Sequence, residues 1–413
     1  MGSDIGRVCR ATRRRRATGL SFALTFRRAA AYAGRDGRRP AAYGSTVARA
    51  PHLLAVSHTG LASGAETVLL RVLGSARDAG WTATCLCPPG PMAERLADAG
   101  LARGPLPELK LPAGTRAVAA LRLLLRSWRA GRRIRREARE ADVVLVNGIL
   151  ALPALAFART HKPKAWLVHD VIHRPSWLLV LWALGRSVDR AIAVSEAAAR
   201  PVRGARIEAI VVRNGVEWPV ERAPFEHEGP PVVGCAAVLT SWKGQDVLLE
   251  AIARLPRTDV VLELVGGSFP KDGPYVAALQ ERASQPDLAG RVRFVGYVPD
   301  VLSRVRTWAV GVSASVDPEA GPLALLEYLS VGVPAVATAH GGSAEVLGDA
   351  GILVPPRDPD ALAEAIGRLL DDEELRRRCA EAGPKVIERG DLTVASSNRK
   401  TIEALAELAG RAG

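Results

Sequence analysis

Two glutamates eight residues apart, Glu319 and Glu327, lie in the stretch with most capacity for chemistry, Ser313 to Glu345. A strand pattern ends near Ser315, a Pro/Gly loop follows, and a helix opens near Pro322. The backbone N–H groups at such a helix start suit a phosphate or a sugar hydroxyl. In one continuous helix a spacing of eight would leave the side chains about 80° apart, on one half of the cylinder. Because Glu319 precedes the helix, the two carboxylates can instead bracket one elongated polar ligand. Two glutamates on a helix are ordinarily solvated charges. Glu327, however, stands among Leu325, Leu326, Tyr328 and Leu329, an awkward setting for an idle carboxylate.

Other chemistry-bearing patterns read more plainly. Asp358-Pro359-Asp360 imitates a metal-binding Asp-x-Asp, but Asp358 fits a helix N-cap and Pro359 the first helical position. His169 and His173 have a zinc-compatible i, i+4 spacing with no third ligand nearby and a proline soon after, so no metal is expected. Gly266-Gly267 is a strand-to-loop turn, too sparse for a dinucleotide fingerprint. Lys243 taken alone is a surface lysine. Five cysteines (Cys9, Cys85, Cys87, Cys235, Cys379) show no ligand spacing and fit a reducing compartment.

These residues need a scaffold, and the chain is long enough to build one. Its 413 residues correspond to two or three domains of about 150 each. A hydrophobic content of 48% against 24% charged excludes a largely disordered chain. No apolar run reaches the roughly 18 residues of a membrane span; Trp177–Leu184 is too short and reads as a core or interfacial segment. Apolar runs at 52–57, 82–87, 143–148, 165–170, 191–195 and 208–215 read as parallel strands covered on both faces, with amphipathic helices between them. A Pro-rich break from Trp218 to Pro231 follows. A second series comes after it, at 232–238, 260–266, 292–297, 310–315, 334–339 and 351–355. Two such series predict two doubly wound α/β domains facing across a cleft, with ligands beyond the carboxyl ends of the strands. The predicted boundaries are a basic disordered tail at 1–50, an N-terminal domain at 51–222, a C-terminal domain at 223–390 and a last helical segment at 391–413.

The net charge of +13 is mostly a property of the tail: residues 1–50 hold twelve Arg against two Asp, which leaves +3 for the rest. The bulk of the chain therefore offers no electrostatic case for nucleic acid. One run stands apart. Arg122–Arg139 contains eight arginines and one glutamate with Leu123, Leu124, Leu125, Trp128 and Ile134 between them. Such a helix is either a solvated outer helix or one that lies on an anionic membrane surface.

The Ser313–Glu345 stretch resembles the glutamate–seven residues–glutamate signature of the family 4 retaining glycosyltransferases, which have the GT-B fold of two Rossmann-like domains. Further motifs in the matching order extend the resemblance from residue 52 to the C-terminus. They are Ser63-Gly64-Ala65-Glu66, His169-Asp170, Ser195, Asn214-Gly215-Val216, Trp242-Lys243-Gly244-Gln245-Asp246, Phe294-Val295-Gly296-Tyr297 and Gly341-Gly342 with Glu345. The resemblance implies transfer of a hexose-type sugar, with retention and without metal, from a UDP- or GDP-sugar to an acceptor hydroxyl. His169, Lys243 and Glu319 would be the catalytic group. Gly64, Lys243, Tyr297, Val298, Glu319, Gly321, Leu323 and Glu327 would hold the donor, with Glu319 on sugar hydroxyls and Glu327 on the ribose. No cofactor is implied beyond the donor substrate. The acceptor would be a glycan or a lipid-linked sugar of the cell envelope, and the enzyme cytoplasmic or peripheral at the inner membrane face. Two departures stand out: Pro322 replaces a residue with an N–H, and Val238 stands where the family places a diphosphate-pairing arginine. Alternatives are a nucleotide-sugar epimerase of the same fold and a catalytically weak nucleotide-sugar-binding subunit.

Overall fold

The computed structural model describes residues 49–110, 116–226 and 228–411. The expected disordered tail therefore lies outside the described residues except for Arg49 and Ala50. Residues Ala50–Gly413 form one compact unit.

The N-terminal half runs β1 (His52–Ser57), α1 (Gly64–Asp78), β2 (Thr82–Cys87), α2 (Pro91–Asp98), β3 (Ala102–Pro105) and α3 (Arg116–Glu137). It continues with β4 (Val143–Asn147), α4 (Leu152–Ala158), β5 (Lys164–Val168), α5 (Pro175–Leu184), β6 (Arg190–Ala193), α6 (Glu196–Gly204) and β7 (Ala209–Val211). The C-terminal half runs β8 (Val232–Ala236), α7 (Gln245–Arg254), β9 (Val261–Val265), α8 (Gly273–Ala283), β10 (Val292–Gly296) and α9 (Val301–Val305). Then come β11 (Val310–Ser313), α10 (Leu323–Val331), β12 (Ala335–Thr338), α11 (Ser343–Val346), β13 (Gly351–Val354), α12 (Pro359–Asp371), α13 (Glu373–Arg389) and α14 (Val394–Gly410).

Both sheets are parallel throughout, in the orders β3-β2-β1-β4-β5-β6-β7 and β10-β9-β8-β11-β12-β13. Strand order reverses between β1 and β4 and again between β8 and β11. Adjacent loops leave in opposite directions there and open a crevice at the strands' carboxyl ends. The central strands are apolar on both faces because helices cover both: Leu53, Leu54, Ala55 and Val56 of β1 are fully buried. In the N-terminal half, α3 to α6 pack on one face around Leu54, Val144 and Trp166. Helices α1, α2 and the returning α14 pack on the other, around Leu69, Val72 and Leu405. Arg190 anchors α14 there: its guanidinium, 3% exposed, lies 2.6 Å from Glu208 and 2.8 Å from Glu407.

The sequence pattern missed β3, where Gly104 alone of four residues is buried and a proline closes the strand. Several expected strands end earlier than their apolar runs. The run expected at 165–170 ends as a strand at Val168, which releases His169 and Asp170 into the crevice. The apolar run Trp177–Leu184 lies within α5, and only Leu181 of that helix is buried.

Candidate active site

The C-terminal half of the site starts at the end of β8. A tight turn, Ser241–Lys243, leads into α7, and Lys243 lies with Nζ 4.2 Å from the Trp242 ring centroid. Gly244 follows with φ +68°; a Cβ there would meet the Ala314 carbonyl oxygen at 2.1 Å, so glycine is required for the turn to approach β11. Lys243 Nζ reaches Glu319 Oε2 at 2.7 Å, and both side chains are largely buried. The Ser315 and Ser313 hydroxyls donate to the other carboxylate oxygen. Burial opposes ionisation of Glu319, but Lys243 and the two serines outweigh it and hold the carboxyl below its ordinary value. The loop is clamped from behind, where the Gly342 N–H donates to the Glu319 carbonyl at 2.7 Å. A Cβ on Gly341 would lie 2.1 Å from that same oxygen.

Glu327 lies about one turn into α10. Burial raises its carboxyl to about 7, partly offset by Arg71 reaching from α1. Arg71 itself donates to the Gly215 carbonyl at 3.3 Å.

The N-terminal half supplies the facing wall. Ser63 caps α1 in a capping box with Glu66, and Asn147 donates to the second Glu66 oxygen at 3.3 Å. Gly64, at the start of α1, faces Leu323, at the start of α10: a Cβ built on it would stand 3.5 Å from Leu323 Cδ1. Two helix N-termini thus meet across the crevice. A backbone bridge joins Asp170 to Glu319. It joins the chain segment that follows β5 in one domain, where His169 stands, to the Glu319 loop of the other. His169 Nε2 is buried and without a hydrogen-bond partner. Burial, with His58 adding repulsion, lowers its pKa to about 4, so the imidazole is neutral at physiological pH.

The expected residues do not all converge. Lys243, Glu319, His169, Gly64 and Leu323 face one crevice. Gly321 closes it, packed so tightly that a Cβ would meet Asn214 Nδ2 at 2.5 Å. Tyr297 and Val298 follow β10, three strands away from β11, with Tyr297 68% exposed. The Val238 carbonyl accepts from Gln245, and its side chain offers no charge. Positive charge comes from elsewhere: Arg174, just before α5, and Arg357, after β13, flank Asp317 at 3.6 and 3.5 Å, two residues before Glu319. Arg71, Arg174, Arg357, His58, Ser313 and Ser315 were not singled out from the sequence. The serines alternate on one strand end and could have been found. The others are brought in by loops distant in sequence. Asp358 accepts from the Ala361 N–H at 2.9 Å and caps α12, the structural role its context indicated.

The Glycosyltransferase Family 4 description matches residues 62–217, and Glycosyl transferases group 1 matches residues 218–386. The chain is 36% identical over 169 residues to a GDP-mannose-dependent alpha-(1-6)-phosphatidylinositol monomannoside mannosyltransferase of Mycolicibacterium smegmatis, covering 37% of this chain and 41% of that one. It is 32% identical over 220 residues to the phosphatidyl-myo-inositol mannosyltransferase of the same organism, covering 50% and 54%. The chain thus spans about half the length of the curated relatives it matches. Among solved structures, Anabaena HepE in complex with UDP and glucose superposes with a TM-score of 0.73 at 22% identity, over 86% of this chain and 99% of that one. Sucrose-phosphate synthase from Thermosynechococcus elongatus gives 0.72 at 19%, over 87% and 99%. Those likenesses establish a shared fold of two Rossmann-like domains. The chain belongs to the family 4 glycosyltransferases, of GT-B type.

Proposed function

We propose that this protein transfers a hexose, with retention of anomeric configuration, from a nucleoside-diphosphate sugar to an acceptor hydroxyl. The observation that carries the reading is the Asp170–Glu319 bridge. It joins the two domains at the carboxyl ends of both sheets, which supports a shared site for the His169 imidazole, the Lys243–Glu319 pair and the starts of α1 and α10. In the step, the bond from the anomeric carbon to the diphosphate oxygen breaks and the acceptor oxygen bonds to that carbon on the same face. The acceptor's proton passes to a departing phosphate oxygen. Lys243 and the N–H groups at the starts of α1 and α10 stabilise the charge that grows on the diphosphate. Arg174 and Arg357 add positive charge on the Asp317 side, in place of the arginine that Val238 lacks. Because these groups carry the charge, turnover proceeds without a divalent metal. His169 Nε2 and Glu319 hold sugar hydroxyls, Glu327 holds the ribose hydroxyls, and the backbone around Tyr297 and Val298 meets the base. The mannosyltransferase relatives favour a lipid-borne inositol or cell-envelope acceptor.

The test is turnover of UDP-glucose and GDP-mannose with lipid-extract acceptors, with the product anomer read by NMR and the reaction repeated in EDTA. Transfer with an inverted product refutes the stereochemical assignment, and loss of turnover in EDTA refutes metal independence. Donor hydrolysis or epimerisation without transfer refutes the transferase reading.

A further inference from the structure

Behind Glu319 stands a side chain that the reaction does not touch. The ladder between β11 and β12 ends at Ser313, which pairs with Ala337. Two residues on, the Ser315 carbonyl accepts from two side chains at the end of β12, Thr338 Oγ1 at 2.9 Å and His340 Nε2 at 2.8 Å. The backbone donors there are committed elsewhere: the Ala339 N–H turns to Val354 of β13 at 2.7 Å, and the His340 N–H to Thr338 at 2.9 Å. Ser315 is 1% exposed, so its carbonyl depends on the two side chains. A carbonyl oxygen only accepts, and Nε2 therefore carries the proton of the His340 contact. The other ring nitrogen, Nδ1, is buried and has no hydrogen-bond partner among the described residues. The imidazole thus acts through Ser315.

Ser315 in turn acts on the carboxylate. Its hydroxyl donates to Glu319 Oε1, which Ser313 reaches at 3.3 Å, while Lys243 holds Oε2 at 2.7 Å. Two residues after His340, the Gly342 N–H takes the Glu319 carbonyl at 2.7 Å. Residues 340–342 therefore grip both ends of the loop 315–319, the start through the imidazole and the end through the backbone. The middle is fixed from another side, where the Val316 N–H donates to the Trp242 carbonyl at 2.9 Å. Removing the imidazole leaves the middle and the end in place and loosens the start, where the serine that orients Oε1 stands. We propose that His340 is a positioning residue for the donor sugar: by fixing Ser315 it sets the direction of the Glu319 carboxylate that receives the sugar hydroxyls. Thr338 shares the task from inside β12. The inference rests on the glycosyltransferase reading of Glu319.

The test compares the full-length parent with His340→Ala, His340→Gln and His340→Leu in two measurements. One is turnover of whichever of UDP-glucose and GDP-mannose the parent uses; the other is calorimetric Kd for that sugar nucleotide against UDP or GDP alone. His340→Ala should lower kcat about tenfold, and its combination with Thr338→Val about a hundredfold. Glutamine, whose amide N–H can donate where Nε2 does, should bring kcat back to within about threefold of the parent. Leucine, which fills the space without donating, should not. Affinity for the bare diphosphate should be unchanged in every variant, while the ratio of sugar-nucleotide to diphosphate affinity falls together with kcat. A kcat for His340→Ala within about twofold of the parent would overturn the proposal. So would a glutamine variant no better than leucine, or equal losses of affinity for the sugar nucleotide and the bare diphosphate, which would mark a merely structural role. A parent that neither binds nor turns over a sugar nucleotide would overturn the glycosyltransferase reading, and this inference with it.

Discussion

At the scale of single residues, the site stores electrostatic cost where a ligand can relieve it. Glu327 is driven to about 7 by burial, so folding holds a carboxyl that resists ionisation. The sign follows from linkage. Below its ordinary value of 4.5 the group is protonated folded and unfolded, and it contributes nothing. As pH rises to about 7, only the unfolded chain releases the proton, so stability falls, and above that the loss is complete. Glu327→Gln should therefore raise the melting temperature at pH 8 by a few degrees while abolishing any nucleotide-induced shift. In the parent, nucleotide affinity should increase as pH rises through 7, because the ionised carboxylate is the better acceptor for ribose hydroxyls. A flat affinity profile between pH 6 and 8 would contradict this. Lys243 and Glu319 pose the opposite case, a buried pair in which each satisfies the other. Lys243→Ala should cost about 3 kcal/mol, because it strands a buried carboxylate. Adding Glu319→Gln should recover more than half of that without restoring turnover. Additive losses in the double-variant cycle would mean that the two groups are uncoupled.

At the scale of elements, the position of Glu319 is set by glycines more than by its own helix. Gly341 has φ +59°, and its Cα stands where a Cβ would strike the Glu319 backbone. Gly341→Ala should displace the loop while leaving both sheets folded. Since small misplacements at a reacting centre cost about a hundredfold, kcat should fall by that order, and the strained alanine should lower the melting temperature by a few degrees. An unchanged kcat would show that the loop tolerates movement. The sequence announces most of this layer. Parallel strands buried on both faces appear as apolar runs, and the Glu319–Glu327 spacing marks the loop-to-helix junction. It does not announce β3, whose single buried residue gives no pattern. Nor does it reveal the exposure of α5, because an apolar segment of that length ordinarily signals burial. Arg71, His58 and Arg357 were invisible for another reason: they belong to the site only through loop placement, and nothing in their neighbours marks them.

At the scale of the whole molecule, the crevice exists because the two domains hold each other at a defined separation. Glu345, in α11 of the C-terminal domain, reaches the start of α6 in the N-terminal domain. It accepts the Glu196 and Ala197 N–H groups at 3.0 and 2.8 Å, and Arg213 stands 3.2 Å away. A carboxylate at a helix N-terminus meets both unpaired donors and the positive end of the helix dipole, an interaction of about 0.3–2 kcal/mol. Beside it, Asn214 donates to the Gly321 carbonyl at 3.0 Å. Gly321 lies two residues from Glu319, and Glu345 lies three residues from Gly342, whose N–H holds the Glu319 carbonyl, so loosening these contacts widens the crevice without touching a group that meets the sugar. Glu345→Ala should enlarge the radius of gyration in solution scattering and lower kcat/KM for donor about tenfold, mainly through KM. Glu345→Gln, which keeps the shape and one acceptor oxygen, should fall between the two. Added donor should return the Ala variant to the compact radius, because bound ligand replaces the missing clasp with its own contacts to both walls. If scattering and kinetics of the Ala variant match the parent, the clasp is decorative, and the separation is set by the linker at Trp218–Pro231 and by the return of α14.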